Sequence, residues 1–456
     1  MKAVGHKSSE TAGTRWLGEV PSHWKFTRLK NVADYWVSNV DKVPAEGEEP
    51  VRLCNYTDVY YNEHLRPDLG LMQTTATAAE IRRFHLQVGD VVITKDSEEW
   101  SDIAVPALVT DTAPDLVCGY HLAIVRPRPN RLYGPFLQRL FQSAGVNTQL
   151  QVSASGITRY SLPKNAIGEA VIPLPPLDEQ RAISNFLDRE TALLETLLAS
   201  KARLRQLAAA RLQSLVRSAV RIGLNRDVEL VPTSIEWLGS APKNWKFKKL
   251  GHIARIVRGA SPRPAGSPEF FNGDAAPWIT VAEITKDSSK FLTETTARLT
   301  LEGQNRSRLI PTGTVVLTNS GATLGVPKIL ALSGCINDGS VAFLGLSRQI
   351  LPDYLFYYLS SLTDNYRERI KQGSGQPNLN TTIVKATPFL APPLAEQHQI
   401  VDYLDALSGA TEKLTFTIDA AAIEVKELRS SLISAAVTGE IDVRTYRPQE
   451  AAALCQ

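Results

Sequence analysis

The feature that most constrains this chain is an internal repeat: four blocks of its first half return in its second half in the same order, 217 to 224 residues later. The first block reads WLGEVPSHWKFTRLKNVA and its copy reads WLGSAPKNWKFKKLGHIA, with nine identical residues. Four ordered matches are not expected by chance, so we predict a fold that is built twice, with a pseudo-twofold relation between the copies. The matched segments are residues 16–33 with 237–254, 88–94 with 312–318, 172–188 with 390–405, and 214–220 with 431–437.

The composition is that of a globular protein. Of 456 residues, 43% are hydrophobic and 21% are charged, which excludes a disordered, collagen-like or purely coiled-coil chain. No apolar run approaches the roughly 20 residues of a membrane span, and the N-terminal sequence lacks the apolar core of a signal peptide. The four cysteines and seven histidines are scattered and fit neither a disulfide framework nor a metal motif. We therefore expect a cytoplasmic protein with no membrane partner and no metal ion of its own.

Each copy of the repeat has two sections of different character. The first contains short Val- and Ile-rich runs such as DVVIT and HLAIVRP, bounded by Gly, Pro, Asn and Asp, which predicts mixed β structure. The second begins after Pro-Pro-Leu and predicts one long helix, since residues 178–222 contain neither Pro nor Gly. We therefore expect an α+β protein in which mixed α/β domains with antiparallel-rich sheets are separated by two long helices. The predicted segments are 1–172 (first domain), 173–226 (first spacer helix), 227–388 (second domain), 389–445 (second spacer helix) and 446–456 (C-terminal tail).

The second helix carries a heptad pattern, because apolar residues from Ile400 to Ala435 alternate spacings of four and three. Residues 178–222 hold eight basic and five acidic residues, and residues 395–438 hold three and seven, so the helices have opposite net charge. This favours two helices that pack on each other, the alternative being that each packs only on its own globular section. We call the residues of such a pattern, which would face the partner helix, the seam. The residues of the first helix at the equivalent repeat positions predict its seam as Ile183, Leu187, Glu190, Leu194, Leu197, Lys201, Leu204, Ala208, Arg211, Leu215 and Ser218.

The search for catalytic motifs is negative. The sequence contains no phosphate-binding loop, no dinucleotide fingerprint, no nucleophile elbow and no Asn/Asp-Pro-Pro-aromatic loop of a base methyltransferase. Glu424-Val425-Lys426 matches the Glu-x-Lys motif of some nucleases, but it lies in the middle of the predicted heptad run. We therefore predict that this chain has no catalytic activity.

The polar loops that follow the repeated strands suit recognition instead. After VVIT comes Lys95-Asp96-Ser97, and after the equivalent VVLT comes Asn319-Ser320, so the strand repeats while the loop changes. Such side chains can read base edges in DNA, and arginines on a Pro/Gly loop can contact phosphates. For any one of these residues, an ordinary solvated turn remains an equal alternative. The candidate DNA-binding residues are Lys95, Asp96, Ser97, Trp100, Tyr120, His121, Arg159, Tyr160, Arg258, Ser261, Arg263, Asn319, Ser320, Thr323, Asn337 (followed by Asp338), Gln376 and Asn378.

The repeated blocks resemble a known family, the specificity (S) subunits of type I restriction–modification systems. The resemblance is carried by the W-L-G-x-x-P-x-x-W-K opening at 16–25 and 237–246, the G-D-V-V-I-T strand, the S-G pairs at 155–156 and 374–375, the P-L-P-P-L-x-E-Q run and the closing T-G-E-I. It covers nearly the whole chain. The second copy departs from it slightly, with L-A-P-P-L in place of P-L-P-P-L.

This resemblance implies a DNA-reading adaptor. Each variable section would be a target recognition domain for one half of a split double-stranded DNA site, and the helices would pair antiparallel as a coiled-coil spacer. Two methyltransferase (M) subunits would dock on this spacer, and restriction (R) subunits would join through that core. S-adenosylmethionine would belong to the M subunits and ATP with Mg²⁺ to the R subunits, so this chain would need no cofactor. The alternatives are an S-like subunit of another DNA modification or defence system, and a protein–protein scaffold.

Overall fold

The computed structural model divides into two compact units. The first comprises Met1–Lys201 with Asp419–Gln456, and the second comprises Ala202–Ile418. Both boundaries fall inside long helices, so each unit contains one β-rich domain and half of each long helix. The residues that the structure describes are 14–225, 227–235, 237–321, 323–368 and 379–446.

The β-rich domain of the first unit contains twelve described strands and five short helices, followed by the first long helix. The strands are β1 (Lys25–Arg28), β2 (Ala33–Val37), β3 (Glu49–Cys54), β4 (His64–Leu65), β5 (Met72–Ala76), β6 (Val91–Thr94), β7 (Asp96–Ser97), β8 (Pro106–Val109), β9 (Leu116–Cys118), β10 (Leu122–Pro127), β11 (Tyr160–Ser161) and β12 (Val171–Leu174). The helices are α1 (Tyr56–Tyr61), α2 (Ala78–Phe84), α3 (Gly134–Gln142), α4 (Ala144–Ser153), α5 (Lys164–Glu169) and the long α6 (Leu177–Ile222).

Two sheets dominate this domain, with strand orders β2-β10-β6-β8-β4 and β5-β3-β9. Most pairs are antiparallel, whereas β3 with β9 and β4 with β8 are parallel. Val91 and Ile93 belong to one core, shared with α3 and the long helices, and Val92 belongs to a second core, shared with the three-stranded sheet. Because alternate residues of a strand point to opposite faces, the VVIT run serves both cores and is apolar throughout.

The second domain repeats this plan between the long helices. Its strands are β13 (Leu230–Pro232), β14 (Ser240–Pro242), β15 (Lys246–Lys249), β16 (Arg255–Arg258), β17 (Phe271–Ile279), β18 (Phe291–Leu292), β19 (Arg298–Leu299), β20 (Arg308–Ile310), β21 (Val315–Thr318), β22 (Pro327–Leu330), β23 (Gly334–Ile336), β24 (Ser340–Leu344) and β25 (Pro388–Ala391). Its helices are α7 (Leu250–Ile253), α8 (Val281–Thr285), α9 (Leu301–Asn305), α10 (Pro352–Ser361), α11 (Thr363–Glu368), α12 (Thr381–Ala386) and the long α13 (Leu394–Thr438).

The sheet topology of the second domain matches that of the first. Its five-stranded sheet has the order β16-β24-β21-β22-β18, and β17 pairs parallel with β23 as β3 pairs with β9. The strand pairs β1–β12 and β15–β25 also correspond, each joining the start of a domain to its end. The prediction of two mixed domains with antiparallel-rich sheets is therefore confirmed.

The two long helices run antiparallel within each unit. In the first unit, Ile183 and Leu187 near the start of α6 share a core with Leu432 near the end of α13, and Glu195 lies 3.6 Å from Arg429. In the second unit, the end of α6 (Val216, Ala219 and Val220) shares a core with the start of α13 (Ile400, Val401 and Leu404). The predicted helix pair is confirmed: α6 begins one residue before the run 178–222 that lacks Pro and Gly, and α13 continues through Gly409.

The predicted seam of α6 is wrong at Leu197, Leu204 and Arg211, which are exposed. Leu197 and Leu204 are 43% and 47% exposed, whereas Thr191, one residue after the predicted Glu190, is buried. The structure buries or half-buries Leu187, Thr191, Leu194, Leu198, Lys201, Ala208, Leu212, Leu215 and Ala219. This series alternates spacings of four and three except between Lys201 and Ala208, which are seven residues apart, and it contains Leu212 instead of the exposed Arg211.

The repeated framework residues attach each domain to the start of a long helix. Nε1 of Trp24 donates to Glu179 and Nε1 of Trp245 donates to Glu396, both at 3.0 Å. The neighbouring glutamine of each Glu-Gln pair, Gln180 or Gln397, is fully buried and accepts a backbone N–H from the residue before α3 or α10. Trp24 and Trp245 are therefore structural residues, and they occupy the same position of the repeated W-L-G-x-x-P-x-x-W-K block.

Two of the described helices, α6 and α13, are long enough to cross a membrane by length alone. None of the helices in the described ranges combines sufficient length with sufficient apolar character to cross a bilayer.

Candidate nucleic-acid interface

The first candidate site lies at one edge of the first unit, where several strands end. Lys95 is the first residue after β6, and the short strand β7 that follows pairs with β11. In this pairing Ser97 lies opposite Tyr160, and Asp96 lies opposite Ser161. The group that the structure brings together here is named edge 1, and its members are Tyr56, Lys95, Asp96, Ser97, Tyr120, His121, Tyr160 and Ser161.

Asp96 is the centre of edge 1. Its Oδ1 accepts hydrogen bonds from Nζ of Lys95 and Oγ of Ser161, both at 2.6 Å, and its Oδ2 lies 2.7 Å from Nδ1 of His121. Burial raises the pKa of the Asp96 carboxyl, but these three contacts outweigh burial and leave the pKa below its ordinary value. The side chains of Lys95 and Asp96 are only 17% and 13% exposed. Asp96 is therefore ionised, and it holds Lys95 in one position.

Tyr120 and His121 form an aromatic pair beside this centre. Their ring centroids are 3.8 Å apart, and the backbone of His121 is in the left-handed region with a φ of 70°. The backbone N–H of Lys95 donates to the carbonyl of His121 at 2.8 Å, which ties the pair to the end of β6. A non-glycine residue in this region costs about 1–3 kcal/mol and is characteristic of functional sites.

Aromatic residues of α1 extend edge 1. The hydroxyl of Tyr56 lies 3.2 Å from Oγ of Ser97, the rings of Tyr56 and Tyr60 stack with centroids 5.7 Å apart, and Tyr61 is 77% exposed. Burial raises the pKa of Tyr56, and the positive charge of the exposed Arg159 opposes this effect. Tyr56, Tyr60 and Tyr61 were not among the predicted residues, although the run YTDVYY almost directly after a buried strand could have indicated them.

The second candidate site lies at the corresponding edge of the second unit. Asn319 is the first residue after β21, as Lys95 is after β6, and its backbone N–H donates to the carbonyl of Gly339 at 2.9 Å. The loop that follows β16 reaches the same place, because the backbone N–H of Ala260 donates to the carbonyl of Ile336 at 3.1 Å. This group is named edge 2, and its members are Arg258, Ser261, Arg263, Asn319, Ser320, Asn337 and Asp338.

Asp338 is the centre of edge 2. Oγ of Ser261 donates to its carboxylate at 2.7 Å, Nη2 of Arg263 lies 3.5 Å from the same carboxylate, and Nε of Arg258 donates to its backbone carbonyl at 2.6 Å. The hydrogen bond from Ser261 and the charges of the two arginines lower the pKa of Asp338 against the opposing effect of burial. The side chain of Arg263 remains 71% exposed. Edge 2 therefore presents positive charge to solvent.

Asn319 is enclosed and has no partner for its side chain among the described residues. The residue is 1% exposed, and neither the oxygen nor the nitrogen of its amide makes a hydrogen bond there. A buried amide left in this way costs about 1–3 kcal/mol. The equivalent Lys95 is instead satisfied by Asp96 and Ser161.

The remaining predicted residues lie at varying distance from these centres. Gly339 fits between Ser320 and Asn337, since a Cβ at this glycine would lie 3.1 and 3.3 Å from their polar atoms. The carbonyl of Thr323 accepts a hydrogen bond from Thr318 at 2.6 Å and closes the loop after β21. Trp100 is half exposed on the short turn Trp100–Asp102 and is not part of edge 1. Gln376 and Asn378 lie outside the described residues.

Residues 242–421 match the type I restriction modification DNA specificity domain, a segment that contains edge 2 and the first part of α13. The chain is 21% identical over 445 residues to the putative type I restriction enzyme MjaX specificity subunit of Methanocaldococcus jannaschii, covering 94% of this chain and 96% of the relative. It is 22% identical over 326 residues to the type I restriction enzyme EcoKI specificity subunit of Escherichia coli K12, covering 69% and 67%. Over most of its length this chain is similar to type I restriction specificity subunits, and residues 242–421 match their DNA specificity domain.

Solved structures share the fold of this chain. A chain from a study of complex assembly and conformational transition of the type I R-M system superposes with a TM-score of 0.68 at 18% identity, covering 93% of this chain and all of that chain. The HsdS subunit of Thermoanaerobacter tengcongensis superposes with a TM-score of 0.50 at 18% identity, covering 92% and 98%. The two-domain, two-helix architecture is therefore that of a specificity subunit.

Proposed function

We propose that this specificity subunit reads a split DNA site with unlike halves, one half at edge 1 and the other at edge 2. The observation that carries the proposal is the equivalence of the two edges. Each edge follows the same strands of the same sheet, and each is organised by one aspartate, Asp96 or Asp338. The side chains around the two aspartates differ, so the two edges present different hydrogen-bonding groups on one scaffold.

The chemistry of both edges suits double-stranded DNA. Arg258 and Arg263 supply guanidinium groups next to polar side chains, which is the combination that contacts phosphates and base edges. Edge 1 supplies a lysine, a histidine and tyrosines that are already held in place by hydrogen bonds. Preorganised polar groups lose little conformational entropy on binding, which supports specific recognition rather than loose attraction.

The long helices carry apolar side chains that suit protein partners. In the first unit Leu193 and Ile423 are 61% and 59% exposed, and in the second unit Leu207 and Phe416 are 49% and 77% exposed. Exposed apolar groups on paired helices mark protein-binding surfaces. We assign these surfaces to two methyltransferase subunits, one per unit, with restriction subunits joining through that core.

The chain itself is assigned no chemical step. Within the described residues no group of three or more His, Cys, Asp or Glu side chains is arranged to hold a metal ion. S-adenosylmethionine is assigned to the methyltransferase subunits, and ATP with Mg²⁺ to the restriction subunits. The role of this chain is then to select the DNA on which its partners act.

The test is to co-express the chain with its methyltransferase subunit, to determine the mass of the complex and to map methylated bases in the host DNA. We expect two methyltransferase subunits per chain and methylation at one split site with unlike halves. Gel-shift competition with unrelated DNA should leave the complex on its cognate site. A stable one-to-one complex with full methylation would contradict the assembly, and equal competition by all DNA would favour a protein scaffold.

Replacing Asn319 should lower the affinity for DNA without lowering the stability of the protein. Asn319→Ala removes an unsatisfied buried amide, so the melting temperature should stay the same or rise, whereas affinity for the cognate site should fall by about 1–3 kcal/mol. Lys95→Ala is the matched variant at the equivalent position, and it should lower both quantities because it leaves Asp96 with one partner fewer. Melting curves and binding titrations on cognate and random DNA measure these effects. Unchanged cognate affinity of Asn319→Ala would exclude a reading role for this residue.

A further inference from the structure

Each β-rich domain contacts the long helices through a residue at an equivalent position, and this residue has opposite charge in the two units. Glu63 directly precedes β4, and Lys290 directly precedes β18. The two residues are structurally equivalent, because the carbonyl of Glu63 accepts the backbone N–H of Leu108 at 2.9 Å and the carbonyl of Lys290 accepts that of Ile329 at 3.0 Å. The repeat therefore places a carboxylate in one unit where it places an ammonium group in the other.

In the first unit, Glu63 faces cations. Its carboxylate pairs with Arg429 of α13 and lies 3.4 Å from Nη1 of Arg139 on α3. Nη2 of Arg139 donates to Asp188 of α6 at 2.8 Å, and the Arg139 side chain is only 2% exposed. A buried guanidinium of this kind requires its anions, because an unpaired charge is strongly disfavoured away from water.

In the second unit, Lys290 faces anions. Its Nζ lies 2.7 Å from Asp405 of α13 and 2.7 Å from Asp353 of α10, and its side chain is 14% exposed. The hydroxyl of Tyr357 on α10 also donates to Asp405, at 2.5 Å. Burial lowers the pKa of Lys290, but the two carboxylates outweigh burial and raise it, so the lysine is charged.

The long helices also differ in charge between the two units, at the positions that face Glu63 and Lys290. Asp188 and Asp405 are equivalent in the repeat, and both bind the same position of the domain helix, Arg139 in one unit and Tyr357 in the other. The repeat position that corresponds to Arg429 is Leu212, so the second unit lacks this cation on its helices. Arg139 and Asp353 belong to the domains, so the helix ends differ at Arg429 and Leu212. The second domain placed on the helix ends of the first unit would bring Lys290 against Arg429, and the first domain placed on those of the second unit would leave Glu63 without its Arg429 partner.

We propose that this inverted charge assigns each recognition domain to its own helix ends, so that the two domains are not interchangeable between the two positions of the chain. The surface is the contact of the residue before β4 or β18 with α3 or α10 and the long helices, and its partner is a recognition domain of matching charge. Like charges at such a desolvated contact disfavour the wrong pairing more strongly than correct charges favour the right one. The inference concerns domain docking and is independent of DNA reading.

The first experiment installs the charge pattern of the second unit in the first. Glu63→Lys alone should lower the melting temperature of the full chain by about 5–10 °C and increase hydrogen exchange in α3 and β4, because the lysine faces two arginines. The triple variant Glu63→Lys with Arg139→Tyr and Arg429→Leu should recover most of this loss, since the new lysine then finds Asp188. Glu46→Lys, the same change at an exposed position, is the control and should have little effect. A triple variant no more stable than Glu63→Lys alone would overturn the proposal.

The second experiment tests the assignment directly by duplicating one domain. In the full chain, residues 246–391 replace residues 25–174 while both long helices are kept, so that Lys290 of the inserted copy faces Arg429. We expect this chain to be proteolysed rapidly in its first unit, and the version that also carries Arg429→Leu to be protected at least several-fold better. Equal resistance of the two chains would overturn the proposal. If both chains fail to fold, the triple variant of the first experiment decides, and DNA binding by the parent chain remains a separate measurement.

Discussion

Deleting Ala199–Arg205 together with Phe416–Ala422 is expected to shorten the gap between the two halves of the DNA site by about 3 base pairs or to abolish binding. Seven residues correspond to about 10 Å of helix at 1.5 Å per residue, and base pairs are stacked at about 3.4 Å. The sequence of each half-site should stay the same, because neither deletion touches edge 1 or edge 2. The gap should therefore respond to the helices alone.

The structure defines where this deletion belongs. Both helices pass from one unit to the other at equivalent positions, between Lys201 and Ala202 in α6 and between Ile418 and Asp419 in α13. Deletions centred on these points leave Glu195 and Arg429 paired in the first unit and leave the α6–α13 core of the second unit intact. A deletion of seven residues also keeps the alternation of four and three in phase.

The deletion has a second effect and a matched control. Removing about 3 base pairs from a helix of ~10.5 base pairs per turn rotates one half-site by about 100° relative to the other, so affinity can fall even where each half is still read. Deleting Ala199–Arg205 alone is the control, and it should prevent folding because α6 and α13 would no longer match in length. Selection of bound DNA from a library with variable gaps measures the outcome. An altered half-site at an unchanged gap would exclude the helices as the spacer.

Replacing residues 16–172 by the matching section of another specificity subunit should change one half of the DNA site completely and leave the other half unaltered. The physical reason is that edge 1 is formed by residues of the first unit alone, and edge 2 by residues of the second. Methylation mapping with the parent and the chimaeric chain gives the result. The exchange should change recognition of this half-site more than any single substitution does, since it replaces all residues that would contact its bases.

The chimaera must keep the contacts that attach the domain to the helices. Trp24 bonds to Glu179 on α6, and Arg139 bonds to Asp188, so a donor section needs an indole and a matching charge at these positions. A donor with lysine in place of Glu63 is the appropriate negative control, and it should dock poorly beside Arg429. A change in both half-sites after the exchange of one section would contradict independent reading.

The sequence alone predicts much of this architecture because the relevant signals are local and repeated. The long run without Pro or Gly defines α6 to within one residue, and the run interrupted only by Gly409 defines α13, since helix formation depends on neighbours three and four positions apart. The runs VVIT and VVLT are the central strands β6 and β21, buried on both faces. The repeat itself indicates that Trp24 and Trp245 are framework residues, and both make the same bond to a helix glutamate.

Only the tertiary structure decided which side chains act together. Asp96 meets His121 and Ser161 from distant parts of the chain, and Asp338 meets Ser261 across 77 residues, because strand pairing brings the ends of different strands to one edge. The phase of the α6 seam also required the structure, since a change of one residue rotates a helix position by about 100° and the choice depends on the partner helix. The proposed docking role of Glu63 and Lys290 also required the structure, because the sequence alone does not show which helix side chains these two residues face.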